Sequence, residues 1–258
     1  MPDITVENLT VNYVSNKKSV TLALDNVSVK FYSNKINVIA GSSGCGKTTV
    51  LKTIAGLIKE SSGNIYFDNV NAIQLTIQER NLSYVSQNYV LFPHKTIYDN
   101  IAFPLKIMGA PREEVDARVI EIAKSLDLTA CLTRKPKHIS GGQQQRAALA
   151  RALVKRPSAC LMDEPLSNLD PELRGEARKL IKSVFDKCGM TVIYVTHDFR
   201  EALALADNLI IMDGGQVAVS GNPAAVYASG NAVVHGLIEG SKADFSEFAK
   251  KTDYEEKN

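Results

Sequence analysis

Residues 41–48 read Gly-Ser-Ser-Gly-Cys-Gly-Lys-Thr, directly after an unbroken apolar run, Ile36–Ala40. Such a run is the pattern of a strand buried on both faces. Behind the octapeptide comes a segment of helical character up to Ala55, closed by Gly56. Every fixed position of G-x-x-x-x-G-K-[ST] is filled, between a strand and a helix. No other feature narrows the folds open to this chain as much. Gly44 and Gly46 let the backbone turn with no Cβ in the way. Successive N–H groups then point inward at an anion, and the helix adds its positive end. Lys47 is placed to bridge the β- and γ-phosphates of a nucleotide, and the Thr48 hydroxyl to ligate Mg²⁺.

The rest of the pattern agrees with an α/β chain. Ala159–Met162, Thr191–Val195 and Leu209–Met212 are further apolar runs. Helices separate them. Val115, Val119, Ile122 and Leu126 share one face over residues 112–126. Ser140 is an N-cap for a helix running to about residue 155. Leu173, Ala177, Leu180, Ile181 and Val184 mark another amphipathic helix. Buried strands alternating with helices build a parallel sheet. Ahead of it, Ile4, Val6, Leu9, Val11 and Tyr13 alternate, as do Leu22, Leu24, Val27, Val29 and Phe31 less cleanly. Those read as half-buried antiparallel strands. Gly63-Asn64 and Asp68-Asn69 bracket a short strand, Ile65–Phe67, and Ser83–Ser86 is another. Gly214-Gly215 turns into Gln216–Val219, an edge hairpin. From Ser241 the composition shifts to Lys, Asp, Glu and Ser, a frayed or disordered tail.

Of 258 residues, 45% are apolar and 22% charged, so disorder, collagen and coiled coil fail as descriptions of the whole chain. The 30 basic and 28 acidic residues leave +2, with no basic excess of the kind that tracks nucleic acid. No apolar run approaches the ~18 residues a membrane span needs. The start, MPDITVEN, carries no secretory pattern. Cys45, Cys131, Cys160 and Cys188 form no CxxC pair and no metal-ligand spacing, and a reducing cytoplasm is the simplest setting. Cys45, inside the loop, reads as packing, because no partner base is evident.

A nucleotide loop needs a second group for the metal and for water. The run Ala159–Met162 ends in Asp163-Glu164, where an α/β sheet places its ligands. Asp163 would hold Mg²⁺ directly or through water, and Glu164 would orient the attacking water or take its proton. Taken alone, the same acids could be an ordinary solvated strand end.

Together with four further segments, these motifs resemble the ATP-binding cassette (ABC) ATPases. Ser140-Gly141-Gly142-Gln143 is similar to the family's signature motif, and Gln87, in Tyr84-Val85-Ser86-Gln87, to its Q-loop. Ser167-Asn168-Leu169-Asp170 resembles the D-loop, and His197, in Val195-Thr196-His197-Asp198, the switch histidine. Tyr13 lies where the family stacks adenine, although it also continues the Leu9, Val11 stripe and could be core. Gln87 could be a plain loop amide, and His197 merely structural. One position departs: Ile139 stands where the family usually has Leu, a volume-conserving change. The order of motifs is the family's order, over about residues 3–235.

The resemblance implies an α/β P-loop NTPase parallel-sheet core, with an N-terminal antiparallel β subdomain and an inserted α-helical subdomain at about 87–157. The cassette would occupy residues 1–240 and a polar tail 241–258, with no C-terminal regulatory domain. ATP would lie on Gly41, Ser42, Ser43, Gly44, Cys45, Gly46, Lys47, Thr48 and Thr49, and Mg²⁺ on Thr48, Gln87 and Asp163. Glu164, His197, Gln87 and Lys47 would serve hydrolysis. Ser140, Gly141, Gly142 and Gln143 would cover the ATP held by a second cassette, a homodimer, with Asp170 lining the shared interface.

The stretch Leu91–Leu105 is similar to that of bacterial import cassettes, nearest those serving sugars, polyamines and ferric iron. This implies integral membrane permease subunits, a separate solute-binding protein, and a peripheral place on the cytoplasmic face of the membrane. Two other readings stay open: an export or lipid-handling cassette, and a soluble cassette protein acting on ribosomes or nucleic acid.

Overall fold

The computed structural model describes residues 1–14, 20–88, 90–168 and 170–241. Leu169, the side chain of Leu173 and the tail residues 242–258 lie outside the described residues.

Two strands open the chain, β1 (Ile4–Val14) and β2 (Val20–Phe31), paired antiparallel with Ile4 opposite Phe31 and Val6 opposite Val29. Ile4, Val6, Leu9 and Val11 are all buried. Their uneven spacing has a cause: the register slips between Val6 and Leu9, where Asn8 takes a positive φ of 51°. The extra residue of a bulge restores the inward face. A further slip between Val11 and Asn12 turns Tyr13 outward, 43% exposed, which removes the core reading of that residue.

β3 (Ile36–Ala40) is buried at every position and feeds the glycine loop, and α1 (Lys47–Ile54) follows. β4 (Ser62–Phe67) and β5 (Val70–Asn71) complete a four-stranded antiparallel sheet in the order β2-β1-β4-β5. Here the sequence reading needs a correction. Gly63-Asn64 is part of β4 and not a turn ahead of it. Gly63 sits at the bulge opposite Asn8, where a Cβ would lie 2.4 Å from the Asn8 carbonyl oxygen. The glycine marks a close approach of two backbones.

β6 (Leu82–Val85) leads into helices α2 (Ile97–Ile107), α3 (Arg112–Ser125) and α4 (Gly141–Leu153). α2 went unread as a helix in the sequence, although Thr96 caps it by accepting from the Asp99 N–H at 3.0 Å. Its apolar stripe, Ile97, Ile101 and Leu105, is fully buried. In α4, Ser140 caps Gln143 and the Gln143 side chain returns to the Ser140 N–H, a complete capping box. Then come β7 (Ala159–Asp163), α5 (Pro171–Cys188), β8 (Thr191–Thr196), α6 (Phe199–Leu205), β9 (Asn208–Asp213), β10 (Gln216–Gly221), α7 (Pro223–Tyr227) and α8 (Ala232–Gly240).

The second sheet runs β10-β9-β3-β8-β7-β6, parallel except for β10, the edge hairpin strand. Both faces are covered. Val38, Met162 and Tyr194 face the apolar cluster built from α2 to α8. Ile39, Leu161, Ile193 and Val195 face the cluster shared with α1 and the antiparallel sheet. Each such buried aliphatic side chain contributes about 1.5–3 kcal/mol relative to exposure. β3, β8 and β7 are consecutive neighbours, so their C-terminal ends meet at one sheet edge. Among the described residues, no helix is long and apolar enough to cross a membrane.

Candidate functional site

The loop after β3 closes around its own lysine. Lys47 is buried, and its ammonium donates to the carbonyls of Gly41 at 2.9 Å and Ser42 at 2.7 Å. Gly46, the N-cap of α1, has φ +101°, and a Cβ there would meet Leu24 at 2.7 Å and the Ala23 carbonyl at 2.8 Å. The loop is thus pressed against β2 at a point only glycine fits. Cys45 is buried beneath it, as the packing reading expected. Thr49 is also buried, and the Tyr13 hydroxyl lies 3.3 Å from its hydroxyl.

Asp163, the last residue of β7, receives two donors. Thr48 donates to Oδ1 and the Tyr84 hydroxyl to Oδ2, each at 2.7 Å. Burial, then the neighbouring Asp163 carboxylate, push the Tyr84 phenol well above its ordinary pKa, so it stays a donor. Tyr84 escaped the sequence reading. It stood in view beside Gln87, but its bond to Asp163 spans 79 residues and depends on β6 pairing with β7, Tyr84 opposite Leu161.

Asp163 pairs with Val195, so the residues just beyond meet as well. Glu164 Oε2 lies 2.9 Å from His197 Nδ1. An ionised Glu164 places the ring proton on Nδ1. Gln87 stands in the turn after β6, where its carbonyl accepts from Asn168 Nδ2 at 3.2 Å. That amide also donates to Asn88 at 3.0 Å. The turn after β6 and the segment before α5 are therefore tied together. Asp170 is the N-cap residue of α5, exposed, with no side-chain capping bond.

The structure does not bring every nominated residue to one place. Ser140, Gly141, Gly142 and Gln143 open α4, which packs on α2, α3 and β6, the edge strand three positions from β3. Among the described residues, no hydrogen bond joins them to residues 41–49. Ser140 and Gly141 are exposed, Gly142 and Gln143 half-buried, and Ser140 and Gln143 bond each other.

A family profile described as ABC transporter matches residues 24–167, a stretch holding the glycine loop, Ser140–Gln143 and Asp163-Glu164. The chain belongs to the ABC transporter family. It is 44% identical over 230 residues to the trehalose/maltose import ATP-binding protein MalK of Thermococcus litoralis, covering 86% of this chain and 62% of that one. Against the Fe(3+) ions import ATP-binding protein FbpC of Vibrio cholerae, identity is 42% over 224 residues, covering 87% and 62%. The chain thus spans about three fifths of the length of the curated ABC relatives it matches. Among solved structures of the family, the dimeric post-hydrolysis state of the ATP-binding cassette MJ0796 bound to ADP and Pi superimposes with a TM-score of 0.75. Its identity is 31%, covering 85% of this chain and 98% of that one. The fold class expected from the sequence, an α/β P-loop core with an antiparallel β layer and inserted helices, is the fold of this family.

Proposed function

We propose that this chain is the ATP-hydrolysing subunit of a solute importer, working through closure of a cassette dimer against a separate membrane permease. One observation carries the reading. At the joined ends of β3, β8 and β7 stand a glycine loop closed around Lys47, a hydroxyl–carboxylate pair (Thr48, Asp163) and a carboxylate–imidazole pair (Glu164, His197).

ATP is the substrate. The N–H groups of Gly41–Thr49 and the first turn of α1 take its phosphates, and Lys47 exchanges its bonds to two loop carbonyls for bonds to phosphate oxygens. Thr48 and Asp163 are hard oxygen donors 2.7 Å apart, the donor type Mg²⁺ accepts, with the Gln87 amide oxygen as a third. Bound there, Mg²⁺ offsets negative charge on the phosphates. Glu164 accepts the proton of the attacking water, and His197 holds Glu164 in place through its Nδ1–H and accepts a hydrogen bond from the water at Nε2. Tyr13, exposed above Thr49, offers a ring face to adenine.

In their own chain no hydrogen bond among the described residues joins Ser140, Gly141, Gly142 and Gln143 to this site, so they serve the ATP held by a second copy, with Asp170 at the shared interface. Residues 1–240 form the cassette, helices from about 87 to 157 its inserted subdomain, and 241–258 its tail. The names of the relatives, importers of sugar and of iron, support permease subunits and a separate solute-binding protein as partners, and a peripheral site on the cytoplasmic face.

The test joins binding and partnership. Calorimetry with MgATP is expected to show binding, and crosslinking from residues 91–105 in native membranes to capture an integral membrane subunit. A chain that binds no MgATP, or that co-sediments with ribosomes and crosslinks to no membrane protein, overturns the reading.

A further inference from the structure

One buried acid has no part in the chemistry above. Glu201, in the first turn of α6, is 7% exposed. A carboxyl at that depth is retained only where it is well bonded. Its Oε2 accepts the Thr196 hydroxyl at 2.5 Å. Thr196 is the last residue of β8, 2% exposed, and His197 follows it. The same Thr196 oxygen accepts the N–H of Asp198 at 3.0 Å. Residues on both sides of His197 therefore hang on one hydroxyl, and that hydroxyl is held by Glu201. The Asp198 carboxylate closes the loop by accepting the N–H groups of Arg200 at 2.9 Å and Glu201 at 3.2 Å. Tyr194, fully buried in β8, faces the Glu201 carboxyl. Glu164, Ser167, Arg174, His197 and Glu201 line one small pocket, so the network and the Glu164–His197 pair share a wall.

We propose that Glu201 is a positioning residue: through the Thr196 hydroxyl it fixes the β8–α6 turn, and with it the imidazole of His197 against Glu164. It acts through Thr196 and touches no substrate. The proposal rests on reading Glu164 and His197 as the hydrolytic pair, and the experiment separates the two.

Turnover and KM for MgATP are measured for Glu201→Ala, Glu201→Gln, Thr196→Val and His197→Ala, with the melting temperature and the imidazole ¹H–¹⁵N resonances of His197. Glu201→Ala and Thr196→Val are expected to lower kcat by at least ~10-fold with KM within ~2-fold, as misplacement of a reacting group does. Their His197 resonances shift. Glu201→Gln keeps an acceptor for Thr196 and is expected to restore both kcat and the resonances. If kcat and resonances stay at wild type in Glu201→Ala and Thr196→Val while His197→Ala is impaired, the proposal falls and the reading of the pair stands. If His197→Ala turns over like wild type, that reading falls, and the resonances alone decide positioning. Should Glu201→Ala not fold, Thr196→Val and Glu201→Gln carry the same comparison.

Discussion

Glu164 and His197 meet across the ends of two neighbouring strands, Oε2 to Nδ1 at 2.9 Å. The contact requires a strained backbone, for Glu164 has φ +47°, a left-handed conformation that costs a non-glycine residue on the order of 1 kcal/mol. Its neighbours hold it there. The Glu164 N–H donates to the Val195 carbonyl at 3.0 Å, and its carbonyl accepts from the Ser167 N–H and hydroxyl at 3.2 and 2.9 Å. Because Glu164 is the group read as taking the proton of the attacking water, Glu164→Gln is expected to reduce phosphate release by at least ~10²-fold, the scale of general-base loss. MgATP affinity by calorimetry should persist. Steady-state hydrolysis near wild type, with the permease present, would remove Glu164 from that role.

The same variant gives access to the dimer. With hydrolysis blocked, Glu164→Gln is expected to dimerise in MgATP and stay monomeric in MgADP, because the γ-phosphate is what Ser140–Gly142 of a second copy can grip. Light scattering reads the two masses. A monomer under both conditions argues against the sandwich.

Lys47 is bonded at 2.9 and 2.7 Å to the loop it sits in, so its removal acts on binding itself. Lys47→Ala deletes a charge-assisted contact worth about 1.5–3 kcal/mol. Calorimetry is expected to show at least ~10-fold weaker nucleotide affinity, from the same figure at 1.4 kcal/mol per decade. Unchanged affinity would contradict the placement of the phosphates.

Gly46→Ala tests the fold of the loop. A Cβ would press on Leu24 and the Ala23 carbonyl, at a φ of +101°. A loss of about 2 kcal/mol or more is expected in denaturant unfolding, since clash and left-handed strain add. Wild-type stability would mean that β2 yields at this point.

Glu201 supplies a pH signature. Burial raises its carboxyl above the ordinary glutamate value, opposed in part by the Thr196 and Tyr194 hydroxyls and by Arg178 on α5, and reinforced by Asp198. Folding therefore favours the protonated form. That contribution is complete below the ordinary value of about 4.3 and is lost as pH rises through the raised one. Glu201→Gln does not titrate. Its unfolding free energy relative to wild type is expected to move in the variant's favour as pH rises from the ordinary glutamate value through the raised one, and then to level. Unfolding curves at stepped pH read it, and a flat difference would show an unperturbed carboxyl.

The chemistry-bearing motifs were readable along the chain because each is local. A glycine loop needs only its own eight residues and the strand and helix beside them. Asp163-Glu164 announces itself at the end of an apolar run, and His197 at the end of another. Short-range rules also marked the N-cap of α4 and the edge hairpin. Where those rules failed, a partner distant in sequence had the deciding vote. Gly63 reads as a turn until Asn8 is laid against it, and the choice left open for Tyr13, adenine stacking or core, loses its core alternative only when the slips in β1 turn it outward. Tyr84 becomes a partner of Asp163 only once parallel strands bring their ends level, and Glu201, five residues after Thr196, supports it only once α6 turns back onto β8. Residue type and spacing thus dictate which groups a chain can offer to a phosphate. Which carboxylate oxygen each donor reaches is decided by packing between segments 79 and 115 positions apart, and which buried acid steadies which loop by the way α6 turns back onto the end of β8, because hydrogen bonds reach about 3 Å through space and know nothing of sequence distance.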